Sequence, residues 1–402
     1  MALLLTQGQN MNAFLNLLEK ILTWFFVVAF AVILSYGFMR YSNQNKVATD
    51  PWVRAQKKAT IGGYIDFLRE CEHGCSQQLA AEKSLDDLQR PIGLMSRLSR
   101  IHLADRDGIS HPVLSSDGKS IMALGGFSAG FWDAETGNRD SRADSLLKGL
   151  SGLSLSSVDI APDGRRVAAG ALGSQNGLLL SWELNSNAHI ASHEVEGYDV
   201  KFVQYSTDGI WLGWLGAGPV GVWNPATGVF LRSTHSGAKS LAFRAVEGGP
   251  VEFITASEKE FMVWDPVTMD AKAKVRVDSD RPLLGLSRDG RLIAFTDGRV
   301  LEVWDTLSAK LLASLRDLNG DVVSFCREPA SGDVVVGTQA GLMYLWSPDK
   351  SIVPSASIEA HEGPIENLYC SGAGFVVSTS WDSAKVWSLE RFKKSVVARG
   401  SE

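Results

Sequence analysis

Seven of the twelve tryptophans in this 402-residue chain recur at a near-constant spacing: Trp132, Trp182, Trp223, Trp264, Trp304, Trp346 and Trp387. The successive intervals are 50, 41, 41, 40, 42 and 41 residues. Such a period makes each unit a small supersecondary element that cannot bury its apolar face alone and must stack on its neighbours. Around each Trp (GFWDAETG, SWELN, GVWNPATG, MVWDPVT, EVWDTLS, YLWSPD, KVWSLE) apolar residues alternate into the ring and turn residues follow. That is the pattern of a half-buried strand entering a turn. Asp-Gly pairs stand ahead of the Trp at Asp117-Gly118, Asp163-Gly164, Asp208-Gly209 and Asp289-Gly290, and in three of these four the Asp lies fifteen residues before it. Asp-Gly favours a type I′ turn, so each pair is expected to join two strands of a hairpin. A Trp-closed period near 40–45 residues predicts one four-stranded blade per unit, hence an all-β, seven-bladed β-propeller.

From about Ser96 to Phe392 the chain resembles the WD-repeat family. The Trp-Asp dipeptide stands at Trp132-Asp133, Trp264-Asp265 and Trp304-Asp305, and unit seven matches best, with His361-Glu-Gly ahead of its first strand and STSWDSAKVW over 378–387. The resemblance implies a hydrogen-bonded tetrad in that unit, here His361, Ser380, Asp382 and Trp387. Asp382 sits one residue closer to the Trp than the family pattern has it. Unit four keeps a comparable His235-Ser-Gly, and most other units lack the His. The family closes its ring by pairing an N-terminal strand with the last three strands of the chain, a role that falls here to residues 95–102. Closure removes the exposed sheet edge and ties the two ends of the domain together.

Ahead of the repeats, 21–39 read ILTWFFVVAFAVILSYGFM without a charge. About 19 residues at 1.5 Å each match a hydrocarbon core of roughly 30 Å, so a single transmembrane helix is expected there. Lys20 precedes the span, whereas Arg40, Lys46, Arg54, Lys57 and Lys58 follow it. The positive-inside rule then places the C-terminal side in the cytoplasm; the alternative is an extracytoplasmic propeller serving envelope assembly. Residues 40–94 read as a short helical juxtamembrane spacer, a hairpin turning at Gly74. Tyr64, Phe67 and Leu68 form one apolar face, and Ala80, Ala81, Leu85 and Leu88 the other. The domain plan is a tail over 1–20, the span over 21–39, the spacer over 40–94, the propeller over 95–392 and a tail over 393–402. Cys71, His73 and Cys75 supply too few ligands for zinc and read as turn residues. A Cys71–Cys75 disulfide requires an extracytoplasmic location, which would reverse the orientation.

Catalytic constellations are not evident in the sequence. It contains no Walker loop, no Gly-x-Ser-x-Gly and no His-Glu-x-x-His. None of His73, His102, His111, His189, His193, His235 and His361 forms a metal-binding pair. The reading is a non-enzymatic, membrane-tethered scaffold without cofactor or metal, binding a protein or peptide partner. An enzyme or small-molecule sensor working through the central channel is the alternative from another class. The net charge of −6 argues against nucleic acid as ligand. Interfaces rest on a few aromatic or Arg anchors, which makes Trp381 the candidate anchor, with Arg232, Lys239, Lys259 and Arg299 as a polar rim. Trp211 and Trp214 are expected in the core.

Overall fold

Each tryptophan period folds into one antiparallel sheet. The computed structural model describes residues 50–394 except 59–60, 72–74, 92, 97–108, 126–127, 141–152, 174, 185–187, 234–236 and 382. Helices α1 (Pro51–Lys58), α2 (Ile61–Glu70) and α3 (Gln78–Gln89) come first, followed by β1 (Gly93–Ser96). Sheet 1 holds β2 (Ile109–Leu114), β3 (Ser120–Gly125) and β4 (Ser128–Asp133); sheet 2 holds β5 (Ser154–Ile160), β6 (Arg166–Leu172), β7 (Gly177–Glu183) and β8 (Ala188–Val195). Sheet 3 holds β9 (Val200–Tyr205), β10 (Leu212–Gly216), β11 (Val220–Trp223) and β12 (Phe230–Ser233); sheet 4 holds β13 (Ser240–Arg244), β14 (Glu252–Ala256), β15 (Glu260–Trp264) and β16 (Ala271–Arg276). Sheet 5 holds β17 (Leu283–Leu286), β18 (Leu292–Thr296), β19 (Leu301–Asp305) and β20 (Lys310–Leu315); sheet 6 holds β21 (Val322–Arg327), β22 (Val334–Thr338), β23 (Leu342–Trp346) and β24 (Ala356–Glu359). Sheet 7 takes β25 (Asn367–Cys370), β26 (Phe375–Thr379) and β27 (Ser383–Ser388), and the short helix α4 (Leu389–Lys394) follows.

All seven marker tryptophans occupy the third strand of their sheet, and each belongs to a separate apolar cluster between that sheet and the preceding one. Trp182 packs with Val113, Met122 and Phe131 of sheet 1, and Trp223 with Ala168 and Leu179 of sheet 2. Trp264, Trp304, Trp346 and Trp387 repeat this around the ring, and Trp132 meets Val377, Ala384 and Val386 of sheet 7. Trp304 is half-buried and the other six are buried. Trp211 and Trp214 are core, as expected. The ring closes where β1 pairs with β27 from Gly93↔Val386 to Ser96↔Ser383. The closing strand thus starts two residues earlier than the sequence expectation, and 97–102 lie outside the described residues.

The Asp-Gly pairs do join first and second strands, but not in the expected turn. Gly118, Gly164, Gly209 and Gly290 have φ of 72, 66, 71 and 66°, whereas the preceding aspartates do not enter the left-handed region. A type I′ turn needs positive φ at both central residues. Here the Gly N–H instead bonds the carbonyl three residues back: Ser115, Ala161, Ser206 and Ser287 accept at 2.8–2.9 Å. Each Asp caps its own turn, Asp117 Oδ1 accepting from the Lys119 N–H at 3.0 Å and Asp163 Oδ1 from the Arg165 N–H at 2.9 Å. Where Asp or Asn follows the Trp, it acts likewise in the turn after the third strand. Asp133 Oδ1 accepts from the Thr136 N–H at 2.7 Å and Asp305 Oδ1 from the Ser308 N–H at 2.7 Å. Carboxylates at these positions mimic a backbone turn, which explains the Trp-Asp pairing physically.

The helical unit has one helix more than expected. Asp50 caps α1 by accepting from the Trp52 N–H at 2.9 Å, with Pro51 at the first helical position. That N-cap and proline are the sequence signal the hairpin reading missed. Trp52 packs on Tyr64 and Phe67, centroids 6.1 and 5.1 Å away, both buried as the apolar face required. Ala81 is fully buried, while Ala80 is exposed. Cys71 and Cys75 are not free turn residues: they form a disulfide with Cα atoms 5.9 Å apart, so their thiols are not metal ligands. His73 and Gly74 lie outside the described residues, as does the span 21–39. Among the described residues no helix is long and apolar enough to cross a membrane.

Candidate functional site: two faces and a bolted channel

Alternation of strand direction sorts the loops onto two faces. Loops between second and third strands, and those passing from one sheet to the next, lie on one face; the remaining hairpin loops lie on the other. Here these are the bc face and the ab face. Trp381 (bc loop of sheet 7), Lys259 (sheet 4), Arg299 (sheet 5) and Lys239 (entering sheet 4) all belong to the bc face. Arg232 is exposed on β12, the outermost strand of sheet 3.

Trp381 is 48% exposed and lies against Gly363, where an added Cβ would come within 2.3 Å of its Nε1. Gly363 is therefore required by the tryptophan's seat. The basic residues are partly satisfied locally. Lys239 pairs with Glu258, and Lys259 donates to the Ser279 carbonyl at 3.0 Å and meets Asp280 at 3.6 Å. The Leu283 N–H, then Lys239, holds the Glu258 carboxyl below its ordinary value. Such exposed pairs contribute little stability. Beside Lys239 a hollow of about 540 Å³ is lined by His111, Lys201, Phe202 and Ser240.

The hydrogen-bonded group in sheet 7 uses a different serine from the expected one. Ser378 Oγ lies 2.7 Å from His361 Nε2 and accepts from Trp387 Nε1 at 2.8 Å. Ser380 Oγ is buried without a hydrogen bond among the described residues. The reason is register: in β26, Val376 pairs with Trp387, and Ser378 two residues on shares its face diagonally. Ser380 lies beyond the strand, in the turn. Ser383 Oγ stands 3.5 Å from His361 Nδ1, and Asp382 lies outside the described residues. Sheet 4 repeats half the arrangement, Trp264 Nε1 donating to Thr255 Oγ1 at 2.9 Å; 234–236, including His235, are not described.

The first strands of all seven sheets line a central cavity of about 320 Å³. Its polar lining includes His111, Gln204, Arg288, Arg327, Glu366 and Tyr369. A bolt no sequence pattern announced crosses it. Arg288, from the ab turn of sheet 5, donates to both oxygens of Asp159 in β5 at 2.6 and 2.8 Å, although sheets 2 and 5 are not neighbours in the ring. The Tyr205 N–H of sheet 3 donates to Asp159 at 2.6 Å, and Gln204 Nε2 to the Arg288 carbonyl at 2.8 Å. The guanidinium lies 5.1 Å over the Tyr369 ring of sheet 7, whose hydroxyl donates to the Leu114 carbonyl of sheet 1 at 3.2 Å. Burial pushes the Asp159 carboxyl up, opposed by Arg288 and the Tyr205 N–H, and pushes Tyr369 up to about 12, opposed by Arg288. An unpaired buried charge is costly, so each partner demands the other. The available signals were an aspartate inside the strand segment SSVDI and an arginine within a turn, neither of which names its partner.

Two further features bear on the chemistry. Cys326 of β21 and Cys370 of β25 form a disulfide, Cα atoms 5.5 Å apart, joining the inner strands of sheets 6 and 7. His193 stacks on Phe230 with centroids 4.0 Å apart, and no cluster of residues able to hold a metal occurs among the described residues.

No protein-family model matches the chain, and no curated protein matches its sequence. In fold, 1631 solved chains match it. One, from a crystal structure of a mitotic checkpoint complex, has a TM-score of 0.58 at 14% identity, covering 75% of this chain and 96% of that one. A likeness at that identity concerns architecture alone: the chain shares the seven-bladed β-propeller fold.

Proposed function

We propose that the protein is a non-enzymatic interaction scaffold that captures a protein or peptide partner on its bc face and is tethered to a membrane through 21–39. The observation that carries this reading is Trp381, a large aromatic side chain held half-exposed on Gly363 on the face that also carries Lys239, Lys259 and Arg299. A rigid aromatic anchor with a polar surround is the usual make-up of a binding centre. Tethering would raise the partner's effective concentration at the membrane.

The cysteines favour the extracytoplasmic alternative over the cytoplasmic orientation read from flanking charge. All four are paired, in Cys71–Cys75 and Cys326–Cys370, and disulfides persist in oxidising compartments. Long C-terminal domains are translocated largely regardless of flanking charge, so the basic flank does not oppose this placement.

A photo-crosslinking amino acid placed at Arg299 in the full-length protein, in its native membrane, tests the scaffold reading. A discrete adduct that Trp381→Ala abolishes is expected; the same probe at Glu135, on the ab face, should give none. No adduct from position 299 would refute the bc face as the capture surface. An impermeant protease applied to spheroplasts should digest the propeller; protection until the remaining membrane is broken would restore the cytoplasmic placement.

A further inference from the structure

We propose that the ab-face mouth of the channel is a second recognition site, which takes an acidic peptide segment and receives its carboxylate at Arg291. The proposal rests on the protein-binding reading above but assigns a separate surface. A cavity of about 370 Å³ opens there, lined by Arg288, Arg291 and Arg327 against a single lining carboxylate, Asp289. Two of the three cations are already neutralised: Arg288 by Asp159, and Arg327 by Asp289. No carboxylate pairs with Arg291 among the described residues, although the Arg291 N–H and carbonyl are bound, the first by Asp289 and the second by Thr306. The backbone of Arg291 is therefore fixed while its side chain has no carboxylate partner among the described residues. Among the lining residues the two fixed pairs leave Arg291 as the positive charge in excess, while the Asp117 and Asp208 carboxylates of neighbouring ab turns are held by the Ser115 and Ser206 hydroxyls.

The shape selects the ligand class. A water occupies about 30 Å³, so a small oxyanion would fill only a fraction of this space. The remainder is walled by Leu114, Ile160, Pro162 and Pro329, apolar surface suited to the methylenes and backbone of a peptide. Arginine receives a carboxylate through parallel N–H donors, and an acidic motif meeting an Arg cluster is a recurring mode of peptide recognition.

The test is fluorescence anisotropy with the full-length protein and a labelled peptide of alternating Ala and Glu, with its Gln counterpart as control and inorganic phosphate as competitor. Saturable binding of the Glu peptide and none of the Gln peptide is expected. Arg291→Gln should weaken binding about tenfold or more, with Arg291→Lys retaining part of it. Arg165→Gln removes an exposed cation of the same face outside the cavity and should change nothing. Thermal unfolding establishes that each variant is folded. The proposal is overturned by absent saturation, by equal losses in the two Gln variants, or by phosphate displacing the peptide at the peptide's own concentration, which would mark a simple oxyanion site. If Arg291→Gln leaves the Trp381-dependent adduct in place and the Glu peptide never binds, this proposal fails and the bc-face reading stands.

Discussion

Ser378 and Ser380 differ by two positions in a strand-to-turn segment, and the structure gives them opposite consequences. Ser378→Ala strands both His361 Nε2 and Trp387 Nε1 in a buried site and should cost about 1–3 kcal/mol. Ser380→Ala removes a buried hydroxyl with no hydrogen bond among the described residues and should stay within about 0.5 kcal/mol. Urea titration of the two variants separates them; equal effects would show that Ser380 shares the network. His111 is the titratable counterpart. Burial lowers its pKa from the ordinary 6.5, its Nδ1 has no hydrogen bond among the described residues, and its φ is 49°. The unfolded chain therefore binds the proton more readily than the folded one, so stability falls as pH drops below 6.5 and stops falling at the folded pKa. His111→Asn keeps a residue that tolerates a left-handed backbone and should flatten the change in Tm between pH 7.5 and 5.5. An unchanged slope would exclude His111 as its source. The identity of the tetrad serine escaped the sequence because a motif gives spacing, whereas strand register decides which hydroxyl faces the indole.

The ab turns show the same distinction for an element. Asp-Gly marked where first and second strands join in sheets 1, 2, 3 and 5, and those junctions are present. The turn type was not legible, because it depends on how many residues the ladder leaves unpaired. Two glycines in equivalent turns should respond unequally to substitution. Gly164 has φ +66° and nothing within 4 Å of an added Cβ, so Gly164→Ala costs only the left-handed backbone term, about 1–2 kcal/mol. At Gly118, φ +72°, the added Cβ would lie 2.7 Å from the Phe375 ring of sheet 7. Gly118→Ala should therefore cost about 1–3 kcal/mol more, as overpacking does. Thermal melts of the pair check this, and equal losses would mean that the contact between sheets 1 and 7 yields freely.

For the whole molecule, the ring is held by seven inter-sheet tryptophan clusters, the β1–β27 closure, the Arg288–Asp159 bolt and the Cys326–Cys370 disulfide. The disulfide spans a sequence separation of 44, and removing it by Cys326→Ser with Cys370→Ser should cost about 2–4 kcal/mol. Reductant should destabilise the wild type more than the double variant, which keeps only Cys71–Cys75; equal losses would show that the Cys326–Cys370 bond adds nothing. The number of sheets, the placing of each marker tryptophan on a strand that runs into a turn, and the loops that carry Trp381, Lys239, Lys259 and Arg299 were legible along the chain, whereas the place of that strand as third in its sheet was not. These follow from local periodicity, since a strand alternates every two residues and a blade repeats every forty-odd. The tertiary fold alone shows that Arg288 meets Asp159 across 129 residues, that Cys326 meets Cys370, and that Arg291 lines a cavity without a carboxylate partner among the described residues. Those relations arise at the axis, where strands from all seven sheets converge. No interval along the chain measures a distance across a closed ring.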